Sequence, residues 1–161
     1  MIAKKVLLVG NFGVGKTSLI RRFVQNKFSE DYISTIGVRV SSKVVEFENN
    51  EVKLLIWDVA GTSGDEKIPK AYFLGASAAM FVFDLSRSET YLTIENYIES
   101  IKDLSGLKEV TIVGNKRDLL TKEELKTVTD SISVKINIIT SAKEDANVED
   151  AFLKLASQAL K

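Results

Sequence analysis

The sequence predicts an α/β fold with a mainly parallel sheet covered by helices on both faces. Two patterns carry that expectation. Short apolar runs alternate with stretches whose apolar residues recur at helical spacing, and such alternation builds parallel sheets through crossover helices. One pair of strand patterns, Val44–Glu48 and Val52–Trp57, meets instead at Asn49-Asn50, a hairpin signal that adds one antiparallel edge strand.

Val6–Val9 is a compact apolar run that leads into a glycine-rich turn, and Thr17–Gln25 after the turn has a helical pattern. Ala79–Phe83, Val110–Val113 and Ile136–Ile139 are further apolar runs suited to buried strands. With the hairpin pair they make six strands. Ile94, Tyr97, Ile98, Ile101 and Leu104 share one helix face, and Gly106 follows as a stop signal. Thr121 and Glu124 have capping-box spacing, so a helix should begin near Lys122. Val148, Ala151, Phe152, Leu155 and Ala156 make the apolar face of a last helix, with Asn147 as its expected N-cap. Ligands of such sheets sit at the C-terminal ends of the strands.

The 161 residues fit one domain spanning 1–161. Lysine plus arginine total 22 and aspartate plus glutamate total 22, so the balance suggests no nucleic-acid surface. Cysteine and histidine are absent. That excludes disulfides, thiolate or imidazole metal sites and imidazole catalysis. A bound metal would need oxygen ligands, which points to a hard cation such as Mg²⁺. The N-terminus lacks the apolar core of a signal peptide, and no run is long enough to span a bilayer, so a cytoplasmic location is expected.

Gly10-Asn11-Phe12-Gly13-Val14-Gly15-Lys16-Thr17 fits the phosphate-loop pattern G-x-x-x-x-G-K-[ST] and stands between a strand and a helix, as that motif requires. Glycines let backbone N–H groups wrap around phosphate, and a helix N-terminus adds partial positive charge. Lys16 can neutralise the β- and γ-phosphates, and the Thr17 hydroxyl can ligate Mg²⁺. Asp58 ends the third strand, where a carboxylate can face that metal. Alone, Asp58 also suits a strand-end turn, and Gly61 alone is a turn glycine. Beside a phosphate, the Gly61 N–H can approach the γ-phosphoryl group.

Two more motifs follow later strands: Asn115-Lys116-Arg117-Asp118 and Ser141-Ala142-Lys143. The four motifs in this order resemble the Ras superfamily of small GTPases, over nearly the whole chain. Ser34-Thr35-Ile36-Gly37-Val38 and Trp57-Asp58 look most like the Rab branch. The resemblance implies a P-loop G domain with a six-stranded sheet and five flanking helices. It implies GTP and GDP as substrate and product, with Mg²⁺ held by Thr17, Thr35 and Asp58. Phosphate contacts would come from Gly13, Val14, Gly15, Lys16, Thr17 and Ser18. Asp118 would accept the N1 and N2 protons that guanine offers and adenine lacks. Lys116 would lie along the base, Asn115 would brace the loops, and the Ala142 N–H would meet the guanine O6 while Ser141 and Lys143 hold that loop. Phe28 matches the aromatic that packs on the base, although it also suits a core position. Effector, exchange-factor and activating proteins would bind through the switch loops.

The sequence departs from the family pattern at several points. Phe12 stands where the phosphate loop normally has a small residue, and Thr62 stands where a glutamine orients the attacking water. Ser63-Gly64-Asp65-Glu66 also differ from the Rab pattern. Val40 replaces an expected aromatic of the effector surface, to which Trp57 and Tyr72 can still contribute. Without cysteine the chain carries no prenylation site, so no lipid anchor is expected. Prokaryotic relatives often lack the prenylated tail, so such an origin fits as well. The catalytic set implied is Lys16, Thr35, Gly61 and Thr62, with slow GTP hydrolysis. Two alternatives stay open: a nucleotide-locked, hydrolysis-deficient scaffold, favoured by Thr62 and Phe12, and a P-loop ATPase or kinase, opposed by Asp118.

Overall fold

A computed structural model describes residues 1–25, 30–33, 38–59 and 68–161, with only the backbone at 30–33. The strands are β1 (Ile2–Val9), β2 (Glu30–Ile33), β3 (Arg39–Phe47), β4 (Asn50–Asp58), β5 (Ala76–Asp84), β6 (Thr111–Asn115) and β7 (Ile138–Ile139). They form one sheet in the order β2-β3-β4-β1-β5-β6-β7. β4, β1, β5, β6 and β7 run parallel, and β3 is antiparallel to β4. Those six are the expected strands. The seventh, β2, pairs antiparallel with β3 and takes the edge position that the hairpin was expected to hold. Its sequence, Glu-Asp-Tyr-Ile, has no apolar alternation, so nothing in the pattern announced it.

The four helices legible as patterns are present: α1 (Lys16–Val24), α2 (Ile94–Ser105), α3 (Lys122–Ser131) and α4 (Val148–Ala159). The fifth helix that the resemblance implies is not among the described residues. Lys70–Tyr72 forms one 3₁₀ turn. Gly106 ends α2 in the left-handed region at φ 75°, and its N–H donates to the Lys102 carbonyl. The Thr121 and Glu124 capping box is formed in both directions. Asn147 is at the N-cap position of α4 but does not cap it. Its backbone is left-handed at φ 58°, and its amide donates to the Ile139 carbonyl instead. The hairpin turn is Glu48-Asn49, one residue earlier than expected. Phe47 pairs with Asn50, so the two left-handed residues, at φ 49° and 67°, fall at 48 and 49.

The core divides by strand periodicity. Val6 and Leu8 of β1, with Ala78, Met80 and Val82 of β5, face α1 and α4. Leu7 and Val9, with Ala79, Phe81 and Phe83, face the α2 side. Both faces are buried, which is why these strands read as continuous apolar runs. Under α1 and α4 the rings of Phe23 and Phe152 stack at 4.1 Å with 3° between planes. No helix among the described residues is long and apolar enough to cross a membrane.

Phe152 is fully buried in this stack, so Phe152→Ala leaves a cavity and is expected to cost about 3–5 kcal/mol of unfolding free energy. Urea denaturation measures this directly. A loss below about 1 kcal/mol would show that the stack does not carry this half of the core.

Candidate functional site

The site is built from the loops that follow β1, β6 and β7 and from the last residue of β4, all at the C-terminal ends of their strands. The first joins β1 to α1. Two of its glycines are obligatory. At Gly10 a Cβ would stand 2.1 Å from the Val82 carbonyl oxygen, and at Gly15 it would stand 2.3 Å from Asn115 Nδ2. Gly15 is also left-handed, at φ 103°, and caps α1 without a side chain. The first N–H groups of the helix are therefore left for an anion. Lys16 folds back across this loop, donating to the carbonyls of Gly10 at 2.8 Å and Asn11 at 3.1 Å. Burial pushes its pKa down to about 8, against the raising influence of the Asp58 carboxylate.

Thr17 is half-buried in the first turn of α1, and Asp58 ends β4, the neighbour of β1. Their side chains meet, with the Thr17 hydroxyl donating to Asp58 Oδ2 at 2.6 Å. This puts a hydroxyl and a carboxylate, both hard oxygen donors, beside Lys16. No group of three or more acidic, histidine or cysteine ligands occurs among the described residues. A cation here would need further oxygens from a ligand or water, which is how Mg²⁺ is commonly bound. The donor set fits that ion.

The other end of the site is built around Asn115, the last residue of β6. Its amide donates to the Val14 carbonyl at 3.0 Å, and its Oδ1 accepts the Thr140 hydroxyl at 2.9 Å and the Ala142 N–H at 3.2 Å. Lys116 follows in the left-handed region at φ 66°. Its ammonium reaches the Gly13 carbonyl at 2.7 Å and the buried Asp84 carboxylate at 3.2 Å. Asp118 Oδ1 accepts the Ser141 hydroxyl at 2.7 Å, and its second oxygen has no partner among the described residues. A cavity of about 930 Å³ opens between these loops, lined by Gly15, Ser18, Asn115, Lys116, Asp118 and Ala142 among others.

The structure thus brings together Gly13, Val14, Gly15, Lys16, Thr17, Ser18, Asp58, Asn115, Lys116, Asp118, Ser141, Ala142 and Lys143. Phe28, Thr35, Gly61 and Thr62 lie outside the described residues. Val40 is fully buried and pairs across the strands with Trp57, which is half-buried like Tyr72. Phe12 is 76% exposed.

Sequence reasoning missed Arg22, Asp84 and Thr140. Arg22 on α1 donates to the Ala142 and Lys143 carbonyls, at 2.7 and 2.8 Å, and so clamps the loop after β7. Nothing local marks this long-range contact. Asp84 did carry a signal, as a carboxylate ending an otherwise apolar strand.

A sequence model of the Ras family matches residues 5–161. Among curated proteins, Ras-related protein Rab-13 of Mesocricetus auratus is 39% identical over 161 residues, covering 97% of this chain and 79% of the relative. Ras-related protein Rab-13 of Bos taurus and of Rattus norvegicus are 38% and 37% identical over the same shares. With the phosphate-loop turn, the Thr17–Asp58 pair and the Asn115 loops converging on one cavity, the chain belongs to the Ras family, as a Rab-like small GTPase.

Proposed function

We propose that this cavity binds guanine nucleotide with Mg²⁺, that the chain cycles between GTP and GDP states, and that its unaided hydrolysis is slow. The supporting observation is the Asn115 tie. One side chain joins the loop that fits phosphates to the two loops that fit a base. A ligand that spans the cavity needs both ends at a fixed separation, and a nucleotide has that shape.

At the base end, Asp118 is held by Ser141 and keeps acceptor capacity for the N1 and N2 protons of guanine. A site built around those protons rejects a base lacking them. The Ala142 N–H is committed only to a 3.2 Å bond with Asn115, so it can be shared with the guanine O6. Lys116 is held between Asp84 and the Gly13 carbonyl, and its stem would lie along the base. At the phosphate end, Lys16 supplies positive charge. A triphosphate favours its charged form and reverses the effect of burial. Thr17 and Asp58 would hold Mg²⁺, with Thr35 added in the GTP state. The ion, when bound, neutralises phosphate charge. Thr35 and Gly61 would respond to the γ-phosphate and order the switch loops. Regulators and effectors would read those loops.

In hydrolysis, the oxygen of water bonds to the γ-phosphorus. The bond from phosphorus to the bridging oxygen breaks, its electrons go to GDP, and both protons of the water leave with the phosphate, as dihydrogen phosphate. Positioning and charge stabilisation carry such catalysis. Thr62 has a shorter side chain than the family glutamine and one hydroxyl in place of an amide. The same feature, with Phe12, supports a second reading as a nucleotide-locked scaffold.

Asp118→Asn is expected to weaken GTP binding and to favour xanthine nucleotide, whose O2 can accept from the amide. Titration calorimetry with GTP, XTP and ATP checks this. If the unchanged protein binds ATP as tightly as GTP, the base-site assignment fails.

Single-turnover hydrolysis of pre-loaded GTP should proceed no faster than roughly 10⁻⁴ per second. Thr62→Gln alone should raise it modestly. Phe12→Gly with Thr62→Gln should raise it more than the single changes predict. A parent rate well above the unaided Ras-like value would mean that another residue orients the water.

A further inference from the structure

The nucleotide reading uses the C-terminal ends of the strands. At the other end of the sheet, where β6 and β7 begin, another cavity of about 490 Å³ opens beside the C-terminal half of α4. Among the described residues, five lysines and one carboxylate line it. Lys102 comes from α2, Lys108 and Lys135 from the segments leading into β6 and β7, and Lys154 and Lys161 from α4 and the residues after it. The carboxylate, Glu109, pairs with Lys161 at 3.2 Å. The other four ammonium groups have no ion-pair or hydrogen-bond partner among the described residues.

Two amides of the same lining add donors. Asn137 Oδ1 accepts the Ile112 N–H at 2.7 Å, and Gln158 Oε1 accepts the buried Thr111 hydroxyl at 3.0 Å. With both oxygens taken up by β6, each amide keeps its NH₂ group as a donor. Neither group has a partner among the described residues. Helix stability accounts for little of the lysine cluster. Lys102 lies in the last turn of α2, where a cation complements the helix dipole. Lys108 and Lys135 are in no helix, and Lys154 is in the middle of α4. The chain as a whole is neutral, yet here like charges gather around one concavity, which focuses positive potential inside it.

We propose that this cavity is a second ligand site, for a compact anion bearing several phosphate groups, such as an inositol polyphosphate, either free or as the headgroup of a lipid. Its volume is that of a small-molecule site. The cations come from α2, two lead-in segments and α4, so several phosphates are needed to engage them together. Lysines supply counter-charge to the phosphate oxygens. The Asn137 and Gln158 amides add directed hydrogen bonds that set the site apart from a bare patch of lysines. The cavity lies at the opposite end of the sheet from the phosphate loop, so the proposal does not depend on the nucleotide reading.

Calorimetric titration of the full chain with inositol trisphosphate, with and without excess Mg²⁺ and GDP, tests this. Saturable binding is expected under both conditions, weakened by added salt. Lys135→Glu with Lys154→Glu should weaken it at least about tenfold. Asn137→Asp keeps an oxygen for the Ile112 N–H and replaces the donor with a charged acceptor, so it should weaken binding similarly with little disturbance of the fold. Lys122→Ala with Lys126→Ala removes two exposed lysines of α3 that do not line the cavity, and should leave binding unchanged. Phosphatidylcholine vesicles carrying phosphatidylinositol bisphosphate separate the two sources. Co-sedimentation that inositol trisphosphate competes away marks a lipid headgroup. Binding of the soluble anion without co-sedimentation marks a free ligand. Four results would overturn the proposal: no binding of inositol trisphosphate, cavity variants that bind as well as the parent, an equal loss in the α3 variant, which marks net charge alone, or loss of binding in excess GDP, which places the anion at the phosphate loop.

Discussion

The buried side chain of Asn115 ties its own loop to two other stretches, satisfying the Val14 carbonyl in one and the Thr140 hydroxyl and Ala142 N–H in the other. Leaving one such buried group unpaired costs about 1–3 kcal/mol, so the three loops hold one another in place. The constraint reaches into the phosphate loop. A Cβ at Gly15 would collide with the Asn115 amide, so this close approach exists only with glycine at 15. Parallel pairing of β5 with both β1 and β6 brings the ends of β1 and β6 to one side of the sheet. Asn115 then fixes the remaining distance.

Charge around the site is arranged against the neutral balance of the chain. Lys16 and Lys116 both donate to carbonyls of the phosphate loop, and so does Arg87. Each is held from outside the loop or from its far end. Lys116 is fixed by Asp84, the last residue of β5, and Arg87 by Glu89 in the turn that follows. Together they tie the loop after β6 and the glycine-rich loop to one segment, which the Thr90 hydroxyl pins through the Asp84 N–H and the Arg87 carbonyl. Lys16 is the exception, a buried cation with its pKa pushed down to about 8. A buried cation without a close carboxylate partner is costly, and an anionic ligand removes the cost.

Most of this was legible where a residue's reason is local. The glycines and lysine of the phosphate loop, the Thr121 capping box and the Gly106 stop each follow from the backbone around them. β1 and β5 were legible because both faces of those strands are buried. The misreadings have a common cause in long-range competition. Asn147 looks like an N-cap, but its amide is drawn to Ile139. Asn49-Asn50 looks like the turn, but pairing of Phe47 with Asn50 moves the turn to Glu48-Asn49. β2 is held by ladder bonds to β3, which its polar sequence does not encode. Arg22 and Arg87 act over distances in the chain that no local pattern spans.

The central claim is that this cavity is a guanine-nucleotide site assembled by Asn115. It is tested most directly by denaturing the protein as purified and identifying the nucleotide released by chromatography. The account predicts guanine nucleotide in stoichiometric amount, mainly GDP. Adenine nucleotide in that amount would contradict it.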